Sequence, residues 1–114
     1  MSEHVEIIKE VMVLPTGMDI DDVNARHFAV IVQWRGNKTS DGAGGYAVTH
    51  LSESLSRAGK WNWPERFQYR QYRWDTLDEA LEAARAAVND VKLNGLTFAQ
   101  WGEKTAEEAA ASEA

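Results

Sequence analysis

The residue types that most often carry catalysis are scarce or scattered in this chain. Its 114 residues include no cysteine, which excludes thiol nucleophiles and every cysteine-based zinc or iron–sulfur site. His4 lies near the start, and His27 and His50 would meet across a hairpin, but two imidazoles without a nearby carboxylate make a poor metal site. Serines follow His50 at positions 52, 54 and 56, yet no nucleophile elbow accompanies them. We therefore expect a protein that is not an enzyme and has no metal and no cofactor.

Two other segments carry part of an ion-binding pattern. MDIDDVN, residues 18–24, has the alternate acids of a calcium loop but lacks its glycine at loop position six and its glutamate at position twelve. GNKTSDGAGG, residues 36–45, is rich in glycine, but its lysine and threonine precede the last glycines and a predicted strand follows instead of a helix. We expect a solvated acidic turn in the first case and a flexible loop in the second.

The densest cluster of binding chemistry is KWNWPERFQYRQYRW, residues 60–74. It holds six of the eleven aromatic residues and four of the twelve basic ones. The apolar positions change parity between residues 70 and 71, which predicts a strand with a β-bulge at that point, the alternative being a strand with large residues on both faces. With the bulge, four aromatic side chains pack under a helix: Phe67, Tyr69, Tyr72 and Trp74.

The same interpretation leaves an outward surface of arginines and tryptophans. The arginines form an exposed cationic ladder on one sheet face, and two further tryptophans lie in a loop next to Pro64. Tryptophan and arginine are enriched where proteins grip their partners. The predicted partner-binding residues are therefore Trp61, Trp63, Arg66, Arg70 and Arg73.

Hydrophobic periodicity predicts the strands that must position this cluster. HFAVIVQWR, residues 27–35, and GYAVTHLS, residues 45–52, alternate with period two and predict a β-hairpin with a long tip. VEIIKEVMVLP, residues 5–15, is rich in β-branched residues and predicts a strand before them. SESLSRAGKWNWP, residues 52–64, predicts a helical turn or a loop.

The second half of the chain has a stronger helical signal. Apolar residues at spacings of three and four predict a helix over residues 77–92, with Thr76 and Glu79 as a capping box and Asn94-Gly95 as its stop. LTFAQW, residues 96–101, predicts a short helix capped by Thr97, and residues 103–114 predict a disordered acidic Ala/Glu-rich tail or a fraying helix. The predicted fold class is α+β: an antiparallel β-meander of three to four strands packed against one C-terminal α-helix, in a single domain over residues 1–102.

Charge is segregated along the chain. The net charge of −6 argues against a general nucleic-acid binder, but residues 23–73 carry eight bases and three acids, a balance of +5. Residues 1–22 balance at −5, and residues 74–102 and 103–114 at −3 each. No apolar run is long enough to cross a membrane and no export signal begins the chain, so we expect a cytoplasmic protein with no membrane partner.

The passage YRWDTLDEA, residues 72–80, resembles the strand-to-helix junction of the AP2 and integrase-type DNA-binding domains. Those domains are antiparallel sheets backed by one helix, and they read the DNA major groove with arginines and tryptophans on the outer sheet face. The resemblance implies the predicted fold and, as an alternative function, duplex DNA binding through Arg66, Arg70 and Arg73.

The run YAVTHLSESLSRAGKW, residues 46–61, resembles the short proteins of actinobacterial phages, in particular mycobacteriophages, as do the small size and the tryptophan-rich strands. That resemblance implies an accessory protein that acts in the cytoplasm of the host cell. Our leading interpretation is a small non-enzymatic module that binds and modulates a host protein, with nucleic acid as the less favoured partner. The sequence leaves open the oligomeric state and whether the first strand pairs within the chain or across a dimer.

Overall fold

The structure is a computed structural model that describes residue 6 and residues 8–36, 44–65 and 68–113, without the side chains of 112 and 113. Five strands form one antiparallel sheet in chain order: β1 (Glu10–Val13), β2 (Val30–Trp34), β3 (Tyr46–His50), β4 (Glu53–Leu55) and β5 (Trp61–Asn62). The remaining elements are a helical turn α1 (Ala25–Phe28), a 3₁₀ helix (Tyr69–Tyr72), helix α2 (Leu77–Val88), a small hairpin of β6 (Lys92–Leu93) and β7 (Leu96–Thr97), and helix α3 (Phe98–Glu113). The predicted α+β class and antiparallel meander are confirmed.

The core lies between one face of the sheet and α2. Cross-strand register pairs Val11 with Val32 and Val32 with Val48, so these side chains share a face. Val32 and Val48 are fully buried there against Ala80 and Ala84 of α2. The small alanines let the helix approach the sheet closely, and the alternation predicted for β2 is confirmed from Val30 onward. Residues 27 and 28 fall in α1 instead of the strand.

Helix α2 begins where the sequence predicts and ends earlier. The Thr76 hydroxyl accepts a hydrogen bond from the Glu79 N–H at 3.2 Å, so Thr76 is confirmed as the N-cap of the predicted capping box. The helix ends at Val88, with Asn89 as its C-cap. Asn94 and Gly95, which were predicted as its stop, both have positive φ, at 52° and 85°, and form the two-residue turn between β6 and β7. The Asn-Gly pair is thus a hairpin signal, and residues 89–91 lead into that hairpin.

The predicted bulged strand is wrong over the described part of the segment, residues 68–74. Tyr69–Tyr72 is a 3₁₀ helix, and among the described residues of the segment Trp74 is the one that bridges to the sheet, exchanging backbone hydrogen bonds of 2.8 and 2.9 Å with Tyr46. The three-residue spacing of Tyr69 and Tyr72 is the period of a 3₁₀ turn, and it mimics a strand whose parity changes. Arg66 and Phe67 lie outside the described residues.

The last two strands of the meander come from the segment predicted as a helical turn or loop. Leu55 in β4 is buried, and a tight turn joins β4 to β5, with the Ser56 N–H donating to the Lys60 carbonyl at 2.8 Å. These strands are three and two residues long, so neither shows a readable period. The sheet therefore has five strands where three to four were predicted.

The two ends of the chain differ in their attachment. Strand β1 pairs with β2 of the same chain, which answers the question that the sequence left open. The predicted cap of the last helix is confirmed, because Thr97 Oγ1 accepts from the Gln100 N–H and Gln100 Oε1 from the Thr97 N–H. Helix α3 then continues through Glu113, where a disordered tail or a fraying helix was predicted from residue 103, and residues 102–111 are all exposed. No helix among the described residues is long and apolar enough to span a membrane.

Candidate binding cleft

The turn between β4 and β5 is fixed against the 3₁₀ helix and the residue that follows it. The Arg57 backbone N–H donates to the Gln71 carbonyl at 2.8 Å, and Arg57 Nε donates to the Arg73 carbonyl at 2.7 Å. Within the turn, Ser56 Oγ accepts from the Lys60 N–H at 3.1 Å. Backbone and side-chain bonds together hold two loops at a set separation, with a cleft between them.

This cleft, called the basic cleft below, has a volume of about 780 Å³. Its lining includes three exposed cations, Arg57, Lys60 and Arg70, and no carboxylate among the residues described there. Three primary amides, a hydroxyl and a phenol add polar groups: Asn62, Gln68, Gln71, Ser56 and Tyr72. Amides and cations together offer many donors, so the cleft suits a ligand that carries negative charge and hydrogen-bond acceptors.

Arg73 is not part of an exposed ladder, contrary to the prediction. Its side chain is only 8% exposed. The guanidinium carbon lies 5.4 Å from the centre of the Tyr69 ring, and Nη1 donates to the Tyr72 carbonyl at 3.0 Å. The outward position given to Arg73 is wrong because the segment is a 3₁₀ helix, which turns this side chain back over Tyr69.

The two predicted tryptophans have different environments. Trp61 is half-buried, packs against the core and contacts His50 edge-on with ring centres 5.8 Å apart. Trp63 is 69% exposed. It directly follows Asn62, which lines the basic cleft and separates the two tryptophans in the chain. Trp63 and Arg70 are thus surface residues as predicted, and Trp61 is mainly structural.

Sequence reasoning missed two of the three cations of the cleft. Arg57 and Lys60 lie in the segment that was predicted as a helical turn or a loop, and they were not among the predicted partner-binding residues because β4 and β5 were not predicted. The signal available in the sequence is Gly59, because glycine favours tight turns. In the structure its φ is +82°, and the turn that it forms carries both Arg57 and Lys60.

A second cavity lies on the other side of the same turn. This cavity, called the tryptophan–alanine groove below, has a volume of about 440 Å³ between β4–β5 and α2. Its apolar lining is Leu55, Trp61, Trp74, Ala83, Ala86 and Ala87. Asp90 and Gly59 also line it, and it shares Ser56 and Arg57 with the basic cleft.

The histidines and the acidic turn are accounted for by local structure, whereas residues 37–43 of the glycine-rich loop lie outside the described residues. His50 Nε2 lies 2.6 Å from the His27 carbonyl oxygen, so the two histidines meet through backbone and not as a pair of imidazoles. In the acidic turn, Asp19 and Asp22 accept hydrogen bonds from the N–H groups of Asp21 and Asn24. Among the described residues, no group of three histidines or carboxylates is placed to hold a metal.

The sheet face turned away from α2 is not arginine-rich. Because side chains alternate along a strand, two rows of cross-strand neighbours lie on this face. The first row crosses all five strands: Met12, Ile31, Thr49, Ser54 and Asn62. The second row crosses β1 to β3: Glu10, Gln33 and Ala47. None of these described strand positions is lysine or arginine. The basic outer face that a DNA-reading sheet of the AP2 kind requires is therefore not formed by the strands.

Comparison with family models, with curated proteins and with solved structures found no match to this chain. The resemblances to AP2-type domains and to phage proteins stay predictions.

Proposed function

We propose that this protein is a non-enzymatic binding module that holds an acidic segment of a partner protein in the basic cleft, with Trp63 as an apolar contact beside it. The observation that carries the proposal is the convergence of Arg57, Lys60 and Arg70 on one cleft whose described lining has no carboxylate, in a chain of net charge −6. In an acidic chain, such a cleft is a local region of positive charge that attracts a negatively charged ligand.

Protein is favoured over duplex DNA as the partner. A duplex presents phosphates along its whole length and rewards a broad basic face, whereas the described cations that converge here do so on one cleft and the outward strand positions carry none. An acidic peptide segment needs only a few charge-assisted hydrogen bonds and one or two apolar anchors. If the chain is phage-encoded, as the resemblance of its central run implies, the expected partner is a host protein.

The test is retention of a partner from a host lysate by wild-type and substituted protein, each partner being identified by mass spectrometry. We expect Trp63→Ala and the double variant Lys60→Gln/Arg70→Gln to lose the partner, since hot-spot side chains contribute about tenfold or more in affinity. Matched controls are Val23→Ala, an exposed apolar residue, and Lys92→Gln/Arg85→Gln, which are exposed cations elsewhere.

Trp61→Ala is unsuitable for this test, because its half-buried ring packs on the core and its loss would disturb folding. Identical partners for wild type, the two site variants and the controls would overturn the proposal.

A further inference from the structure

We infer that the bound segment is bipartite, with acidic residues in the basic cleft and one adjoining aromatic or large aliphatic side chain in the tryptophan–alanine groove. This inference rests on the proposed function and adds the chemistry of the partner. It is based on the tryptophan–alanine groove, a cavity that has no role in the proposed function.

The groove is apolar and open because of the residues on one side of α2. Ala83, Ala86 and Ala87 present only methyl groups toward Trp61 and Trp74, so the space between the helix and the β4–β5 turn is not filled by the chain itself. Leu55, which is 3% exposed, lies at the bottom. At 440 Å³ the groove is in the range of natural ligand pockets, about 300 to 1,000 Å³, and its indole walls suit an apolar or aromatic side chain.

The groove and the cleft are two sides of one fixed ridge. Ser56 and Arg57 line both cavities, and Arg57 is held by its hydrogen bonds to Gln71 and Arg73. A ligand that crosses this ridge meets cations on one side and indoles on the other without a rearrangement of the turn. Such preorganisation lowers the entropic cost of binding.

Charge decides which part of the ligand goes where. The basic cleft has three cations, while the ionisable residues in the described lining of the groove are Arg57 on the shared ridge and Asp90. The Asp90 carboxylate disfavours an acidic side chain in the groove, since like charges repel and desolvation raises the cost. The acids therefore belong in the cleft and the apolar residue in the groove.

Selection from a random peptide library displayed on a surface tests the inference, with wild-type protein, Lys60→Gln/Arg70→Gln and Ala86→Leu as baits. Ala86 is exposed and lines the groove, so leucine there fills the groove without burying new surface in the core. Ala106→Leu, at an exposed alanine of α3, is the matched control.

We expect peptides enriched on wild type and on Ala106→Leu to combine acids with one aromatic or large aliphatic residue. On Ala86→Leu the acids should remain and the apolar residue should lose its enrichment. On Lys60→Gln/Arg70→Gln the acids should lose theirs. For a synthetic copy of an enriched peptide, replacing its apolar residue by alanine should weaken binding to wild type about tenfold and leave binding to Ala86→Leu unchanged.

The outcomes separate the inference from the proposed function. Enrichment of acids alone on wild type overturns the bipartite motif and leaves the function standing. No enrichment of acids overturns both. A wild-type dimer in sedimentation that becomes a monomer in Trp63→Ala, and in Ala86→Leu, would assign the groove to Trp63 of a second copy and also overturn the inference.

Discussion

Gly45 allows the backbone of Trp74 to pair with the start of β3. Its φ is +94°, and a Cβ atom added there would collide with the Trp74 carbonyl oxygen, which accepts the hydrogen bond from Tyr46. We expect Gly45→Ala to lower the free energy of unfolding by about 3 kcal/mol, since backbone strain and a steric clash add. Urea unfolding followed by tryptophan fluorescence measures the loss.

Gly17→Ala is the control for that prediction. Gly17 also has positive φ, at 84°, but a Cβ there meets no atom within 4 Å. Its alanine variant should lose only the strain, about 1 kcal/mol. Equal losses of unfolding free energy in the two variants would show that a steric clash with Trp74 does not add to the cost of Gly45→Ala.

Arg73 and Arg70 are three residues apart and should respond oppositely to the same substitution. Arg73→Gln removes a buried stem, a contact with the Tyr69 ring and a bond to the Tyr72 carbonyl, so we expect a loss of about 1 to 3 kcal/mol in unfolding free energy. Arg70→Gln, at an exposed position, should stay within about 0.5 kcal/mol and instead weaken binding of an acidic peptide.

Thermal unfolding and peptide binding, measured on both arginine variants, provide the test. Loss of binding with full stability in Arg73→Gln would place that residue on the binding surface after all, as the sequence predicted. Loss of stability in Arg70→Gln would assign it to the structure.

The sequence predicted Trp63 as a surface residue because it lies in a loop next to Pro64, and it predicted Arg70 as one by the same strand alternation that placed Arg73 outward. Alternation assigns a side chain to a face only if the segment is a strand, and Tyr69–Tyr72 satisfies both a strand with a bulge and a 3₁₀ turn. The pairing of Trp74 with Tyr46, 28 positions away, decides between them and leaves no local trace.

At the scale of elements, α3 has a packed start and a solvated remainder. Trp101 packs on the core and its Nε1 donates to the Leu93 carbonyl at 2.8 Å, whereas residues 102–111 are exposed. We expect a chain that ends at Gly102 to lose helical signal in circular dichroism but less than about 1 kcal/mol of unfolding free energy.

Trp101→Ala in the full-length chain is the counterpart to that truncation. Loss of a large packed side chain and of its hydrogen bond should cost about 3 kcal/mol or more. If the truncation destabilises the fold as much as Trp101→Ala does, the exposed part of α3 makes contacts that stabilise the domain.

Long elements were more predictable than short ones for a physical reason. Helix α2 spans more than three turns, so its apolar stripe repeats often enough to be read, and its cap is local. Strands β4 and β5 are fixed by pairing with neighbours, and Leu51 and Leu55, four residues apart, match a helical spacing by chance. The basic cleft was missed for the same reason, because its walls are the ends of these short elements.

At the scale of the whole molecule, the cleft is a local exception to the charge of the chain. The net charge is −6, and the acidic segments precede and follow the central residues that supply all three cations of the cleft. An acidic ligand is therefore repelled at long range and attracted at contact. The balance between this repulsion and this attraction depends on the Debye length, which the salt concentration sets.

We expect the affinity for an acidic peptide to be highest at intermediate ionic strength. The Debye length is about 30 Å at 0.01 M salt, 10 Å at 0.1 M and 3 Å at 1 M, so moderate salt screens the repulsion from distant acids before it screens contacts in the cleft. Fluorescence anisotropy of a labelled acidic peptide, measured across this range, should show a maximum near about 0.1 M.

The chain that ends at Gly102 provides the matched control, because it lacks four glutamates and one lysine and has a net charge of −3. Its affinity at the lowest salt should fall less than that of the full-length protein, while its behaviour at high salt should be the same. A steady decrease in affinity from the lowest salt upward in both chains would contradict the argument, since that is the response expected when an extended basic surface releases counterions from a polyanion.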